Sequence, residues 1–291
     1  MKKNKLALAL VLTGIFAAGT AHAANDRFII QVDNNKKGVV KALTKKLGGE
    51  IKVDGNGFIA AKFTGQDLSS LKGLLNNPHI KLIEEDHKRV PMSLFNDDVG
   101  DVMQQQITPY AVYQSQVDQV TFDANAGMKV CVIDSGLDSS NPDFIWGNIT
   151  GNWFDNGGPH GKHVAGTIGT ADNNLGVMGM ALGVAMHIIK VFNESGWGYS
   201  SDLAQAADLC SQADANIISM SLGGGGSNST ESNAFANFTN AGGLVVAAAG
   251  NDGNNVRSYP AGYPSVMMVG ANDANNQIAD FSQFPSCSSG R

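Results

Sequence analysis

Met128-Lys129-Val130-Cys131-Val132-Ile133-Asp134-Ser135-Gly136 decides the fold. Residues 128–133 form an apolar run of strand length. A strand buried on both faces of a parallel sheet reads as such a run rather than as an alternation. It ends on a carboxylate and a turn. Further apolar strands follow at 185–192, 217–222, 244–249 and 266–269, with helical patterns at 203–213 and 231–239 between them. Strands alternating with helices predict an α/β fold whose parallel sheet is covered on both faces. Ligand sites in such sheets lie beyond the carboxyl ends of the strands. Asp134 stands at that position, although a lone aspartate there also reads as an ordinary turn or helix cap.

Upstream, residues 26–92 have a different rhythm. Residues 28–32 read as a strand, and Val39, Val40, Leu43 and Leu47 have helical spacing that ends at Gly48-Gly49. Residues 51–53 and 58–63, joined by Asp54-Gly55-Asn56-Gly57, predict a hairpin. Leu68, Leu71, Leu74 and Leu75 predict a second helix stopped near Pro78, and residues 80–83 a last strand. The order β-α-β-β-α-β is that of a small α+β, ferredoxin-like unit, which by itself says nothing about function. Residues 93–108 are polar and irregular and read as a linker and processing region.

Composition agrees with two folded parts. The 291 residues are 43% hydrophobic and 16% charged, which excludes a disordered chain. The 35 glycines follow no period, which excludes collagen and points to many tight turns. A net charge of −6 argues against a general nucleic-acid binder. Residues 1–100 carry 15 basic and 10 acidic side chains, the remainder 5 and 16. Opposite signs suit two parts that attract each other.

Residues 1–23 read as a secretory signal. Lys2, Lys3 and Lys5 precede an apolar run over 6–18, and Ala21-His22-Ala23 is a small-x-small cleavage site. No later stretch is apolar enough to span a membrane, so no membrane contact is expected once the signal is removed. Cys131, Cys210 and Cys287 make an odd count, so either one thiol is free and buried or a partner is missing.

Two further segments carry chemistry. His160-Gly161-Lys162-His163-Val164-Ala165-Gly166 offers His160 as a general base near neutral pH, with Val164-Ala165-Gly166 reading as a tightly packed helix start. The competing reading is a zinc pair of His160 and His163, for which no third ligand stands out. Ala247-Ala248-Ala249-Gly250-Asn251 ends a strand with an amide able to donate to a developing oxyanion, or with an ordinary turn asparagine.

Together, the DSG, HGxHVAG and AAAGN segments, in that order, resemble the subtilisin-like serine proteases from about Pro109 onward. The resemblance implies that Asp134 orients His160, that His160 takes the proton of a serine, and that Asn251 stabilises the oxyanion. It implies a cleft for protein or peptide substrates, with Ser221-Leu222-Gly223 and Trp197-Gly198 as its two edges and Gly250 helping to wall the pocket before the cut bond. It implies a structural calcium ion held by Asp143, the Asn173 side chain and the carbonyls of Ala171, Leu175 and Val177. An Asx-rich turn without metal is the other reading of that loop. Residues 24–92 resemble the family's inhibitory propeptide, which would act as an intramolecular inhibitor of a secreted monomer.

The sequence also departs from the family. No GTSMA-type serine segment occurs before Arg291, and Ser288 and Ser289 lack that context. The chain is therefore expected to be the front part of a longer precursor and inactive as it stands. Lys162 replaces the usual threonine, and the spacing from Asp134 to His160 is short. A non-catalytic inhibitor or folding helper is the alternative function.

Overall fold

The computed structural model describes residues 26–66, 68–92, 105–121, 123, 126–152 and 158–284. The secretory segment, residues 93–104 of the linker, and Cys287, Ser288 and Ser289 lie outside the described residues.

The first unit comprises β1 (Arg27–Val32), α1 (Lys37–Lys46), β2 (Glu50–Gly55), β3 (Phe58–Lys62), α2 (Lys72–Leu75) and β4 (Ile80–Glu85). Its antiparallel sheet runs β2-β3-β1-β4, the ferredoxin-like order. Phe28, Ile30 and Val32 face α1 and α2, packing on Val40, Leu71 and Leu74. Ile29, Val53, Phe58 and Ala60 point the other way and close on Ala204 of the second unit. That second contact explains why Ile29, on the face opposite Phe28 and Ile30, is apolar as well. The helix expected over 68–75 is broken into a 3₁₀ turn, Leu68–Ser70, and the single turn α2. Leu71 between them leaves helical geometry, with φ −90° and ψ 43°. Leu71 and Leu74 are buried all the same, so the leucine spacing reported burial rather than helix length.

The chain continues through β5 (Lys88–Pro91), which the sequence pattern does not suggest, and α3 (Tyr110–Gln114). The second unit then adds β6 (Lys129–Asp134), β7 (Ile149–Asn152), α4 (Pro159–Gly169), β8 (Ala185–Lys190), β9 (Gly198–Tyr199), α5 (Ser200–Gln212), β10 (Ile217–Met220), β11 (Leu222–Gly223), α6 (Ser229–Asn240), β12 (Leu244–Ala248) and β13 (Met267–Val269). The main sheet is parallel throughout, in the order β13-β12-β10-β6-β8-β7. β6 lies inside it. One face packs against α5 and α6 through Ile133, Leu203, Ala207, Phe235 and Phe238. The other packs against α4 through Val130, Val132, Ala165 and Met186. This is the doubly covered α/β sheet.

Two elements differ from the sequence reading. The run 217–222 is not one strand: β10 stops at Met220, and Leu222–Gly223 joins a separate three-stranded sheet, β11-β5-β9. α4 starts at Pro159, well before Val164. Proline at the first helical position lacks only a hydrogen that the helix end leaves unused. His160 therefore sits in the first turn of α4.

Cys131 of β6 is bonded to Cys210 of α5. The bridge ties the strand that ends at Asp134 to the helix covering it, and closes a separation of 79 residues. A loop of that length stabilises a fold by about 4 kcal/mol through the entropy it removes from the unfolded chain. Urea unfolding of the Cys131→Ala/Cys210→Ala double variant is predicted to show a loss of that order. A loss under about 1 kcal/mol would contradict this account of the bridge.

Candidate active site

Asp134 is the last residue of β6 and is fully buried. Its carboxylate accepts the backbone N–H of Ser135 at 2.6 Å. Both of its oxygens face Nδ1 of His160, at 2.8 and 2.9 Å. The ring is delivered by close packing of α4 on the turn after β6. A Cβ at Gly161 would lie 2.3 Å from the carbonyl oxygen of Gly136, so only glycine lets the helix approach. Ser135 locks the junction: its hydroxyl accepts from Gly161 N at 2.8 Å and donates to Gly158 O at 3.1 Å.

The other ring nitrogen, Nε2, lies 2.7 Å from the carbonyl oxygen of Met92. A carboxylate and a carbonyl both accept, so each ring nitrogen carries a proton and the docked imidazole is an imidazolium. Burial pulls the His160 pKa down, but the hydrogen bond and charge of Asp134, with the Met92 carbonyl, outweigh it and leave the pKa raised above 6.5.

Met92 reaches this point because β5 runs through the cleft as a middle strand. It is antiparallel to both neighbours. Leu222 pairs with Pro91 and Gly223 with Val90, while Gly198 pairs with Arg89 and Tyr199 with Lys88. Met92 N donates to Ser221 O at 3.0 Å. The Lys88 ammonium lies 4.3 Å from the centre of the Trp197 ring, a cation–π contact. The Met92 side chain lies against Gly223, where an added Cβ would stand 2.5 Å from its Cε. Ser221, Leu222, Gly223, Trp197 and Gly198 thus hold the chain's own strand.

Two carboxylates just before β5 fix the first unit onto helix ends of the second. Glu84 accepts the N–H groups of Ser229 (2.8 Å) and Thr230 (2.9 Å) at the start of α6. Asp86 accepts Ser201 N (2.9 Å) and both the Ser200 and Ser201 hydroxyls at the start of α5. Helix N-termini leave N–H groups unused and favour negative charge, so the pair anchors the cleft-filling strand. Asp86 also pairs with Arg27 at 2.7 Å. In the sequence, residues 84–86 mark only the end of the unit.

Asn251 follows β12 at the carboxyl end of the sheet. With Ser221 and Gly250 it lines a cavity of about 230 Å³. Gly250 has φ +122°, a conformation side chains rarely adopt, and the Gln283 side chain lies against it.

The calcium candidates are divided. Asp143 is buried, and among the described residues its Oδ1 has no hydrogen-bond partner. Oδ2 accepts Val177 N at 2.9 Å, and burial raises the pKa of the carboxyl. Gly176, with φ +60°, leaves the space that the carboxylate fills. Asp143, Leu175 and Val177 line a cavity of about 510 Å³ that Ala171 and Asn173 do not. The Asn173 side chain instead accepts Leu175 N at 2.9 Å, and Ala171 O accepts from the Gln106 amide at 2.7 Å. Gln106 sits in the linker, where no local sequence pattern marks it. A buried carboxylate oxygen without a donor among the described residues, in a cavity that Leu175, Gly176 and Val177 also line, fits a hard cation. Lys162, the residue in place of the usual threonine, bonds Asp138 at 3.1 Å.

Residues 125–291 match the model of the subtilase family, peptidase family S8. The chain belongs to the subtilase family. Its relatives in that family of serine protease hydrolases include subtilisin E of Bacillus subtilis (strain 168), 30% identical over 300 residues, which cover 95% of this chain and 74% of that protein. Subtilisin Savinase of Lederbergia lenta is 39% identical over 167 residues, 55% of this chain and 61% of that one. Among solved structures, the psychrophilic subtilisin-like protease Apa1 from the Antarctic Pseudoalteromonas sp. AS-11 aligns with a TM-score of 0.58 at 43% identity, over 62% of this subtilase and 44% of that chain. Fervidolysin of Fervidobacterium pennivorans, at 20% identity, shares the fold with a TM-score of 0.68 over 92% of this chain and 46% of its own. This subtilase spans less than half of either solved chain.

The raised His160 pKa carries a sign. A group whose folded pKa exceeds its unfolded value stabilises fully below that unfolded value, and the contribution is lost as pH rises through the folded pKa. Urea unfolding is predicted to show stability falling as pH rises from 6.5 into the window above it, a slope absent from His160→Gln. An equal slope in both proteins would contradict the imidazolium assignment.

Proposed function

We propose that the chain is the front part of a secreted serine endopeptidase precursor. The observation that carries the proposal is the Met92 carbonyl held at Nε2 of His160 by a strand paired on both sides. A peptide substrate enters such a cleft by adding a strand. The carbonyl of the bond to be cut must then lie beside the catalytic base. In this reading Asp134 keeps the Nδ1 proton in place. His160, once deprotonated, accepts the proton of a serine supplied beyond Arg291 and returns it to the leaving amine. The Asn251 amide donates to the oxyanion. Residues 24–92 are an intramolecular inhibitor whose last strand occupies the site as a substrate would, and the precursor is cut after Met92. Residues 1–291 alone are inactive for want of the nucleophile. The signal at 1–23 directs secretion.

In the same reading one calcium ion sits against Oδ1 of Asp143, which has no hydrogen-bond partner among the described residues, with Leu175 and Val177 lining the same cavity. Bound there, it would neutralise a buried carboxylate and stiffen the loop. Ala171 O and the Asn173 side chain, and Val177 O, which accepts from the Thr170 hydroxyl, would have to exchange or share their present hydrogen bonds to join it.

Two measurements test these proposals. The secreted full-length product is predicted to hydrolyse casein, to lose that activity when a sulfonyl fluoride labels one serine, and to keep it when zinc is chelated. Absence of serine labelling with casein hydrolysis intact would overturn the mechanism. For calcium, the thermal midpoint is predicted to rise by about 5 °C or more with millimolar calcium over EGTA. Asp143→Asn should abolish the difference. An undiminished shift in that variant would place the ion elsewhere.

A further inference from the structure

Strand β5 buries alternate residues, and the residue it buries most completely is an arginine. Arg89 has no exposed surface, and neither does its partner Glu231 in the first turn of α6. Every N–H of the guanidinium has an acceptor. Nε donates to Glu231 Oε1 at 3.1 Å, and Nη2 to Glu231 Oε2 at 2.5 Å and to Gly226 O at 3.0 Å. Nη1 donates to Gly224 O at 2.6 Å and to Lys88 O at 3.1 Å. The Tyr263 hydroxyl donates to Glu231 Oε2 at 2.6 Å and holds the carboxylate toward the cleft. The glycine run that could have been a loose loop shapes this pocket. Gly224 and Gly225 have φ of +122° and +64°, and a Cβ on Gly225 would stand 2.9 Å from Nη1.

Except for the carbonyl of Lys88, every acceptor belongs to the second unit. When β5 leaves, Glu231 is a buried carboxylate facing an empty pocket, held by one tyrosine hydroxyl. A substrate that refills the cleft in the register of β5 puts its fourth residue before the cut bond there. We propose that Glu231 is a specificity-determining residue, and that this site selects substrates with arginine four residues before the cut bond. Lysine has three donors and no planar fork, so it matches fewer acceptors. An apolar residue leaves the carboxylate buried and unpaired, which costs more than the contact returns. This inference rests on the endopeptidase reading.

The test uses the secreted full-length product and fluorogenic peptides X-Val-Pro-Met, where X is Arg, Lys, Leu or Ala. With X as Arg, kcat/KM is predicted to exceed that with X as Leu by about 30-fold or more, with Lys between them. Glu231→Gln should bring the Arg-to-Leu ratio to within threefold. An Arg-to-Leu ratio within threefold in the unaltered protein, with casein still cleaved, overturns the inference and leaves the endopeptidase reading intact. If casein is not cleaved, that reading fails. Fluorescein-labelled His-Lys-Arg-Val-Pro-Met and its Arg→Leu counterpart are then compared by anisotropy: tighter binding of the arginine peptide by the same factor supports the site, and equal affinity overturns it.

Discussion

The hydrogen bond between His160 Nε2 and the Met92 carbonyl, 2.7 Å long, is the contact on which the rest of the arrangement converges. It needs two things at once. The imidazole must be held from behind, which Asp134 does from the end of a buried strand whose face is pinned to α5. The carbonyl must be held from the other side, which requires a strand carried across from a separately folded unit. Each unit has its own core, but neither alone creates the contact.

The strand is positioned by charge at three places, buried at Asp86 and Arg89 and half-buried at Glu84. Glu84 and Asp86 cap two helices, and Arg89 fills a pocket floored by Glu231. Such groups are costly to remove from water and are tolerated only where every hydrogen-bonding position is met. Apolar contact through Ile29 and Phe58 brings the two units together, while the polar contacts fix the register. A one-residue slip of β5 would turn Arg89 outward and move the Met92 carbonyl away from His160.

Much of this is legible in sequence where burial leaves a periodic trace. The apolar strands 128–133 and 244–249 and the β-α-β-β-α-β order of residues 26–85 correspond closely to the observed elements. β5 leaves no such trace. His87-Lys88-Arg89 has no apolar period to mark a strand, and the arginine is its buried member. Its partners β9 and β11 are two residues long, too short for any period to show. Only family resemblance points to them. The sequence of α4 suggests a late start because its first turn, Pro159-His160-Gly161, is poor in helix formers. That turn exists because Gly161 packs on Gly136 and proline suits a helix start. Cys131 and Cys210 cannot be paired from spacing, since their proximity depends on how α5 crosses the sheet.

The account stands or falls on whether β5 lies in the cleft as a substrate does. The most direct measurement is the N-terminus of the mature secreted protein, read by intact mass and terminal sequencing. The account predicts Ser93 as the first residue. A mature protein that begins upstream of His87, or that retains residues 88–92 covalently attached to Ser93, would contradict it.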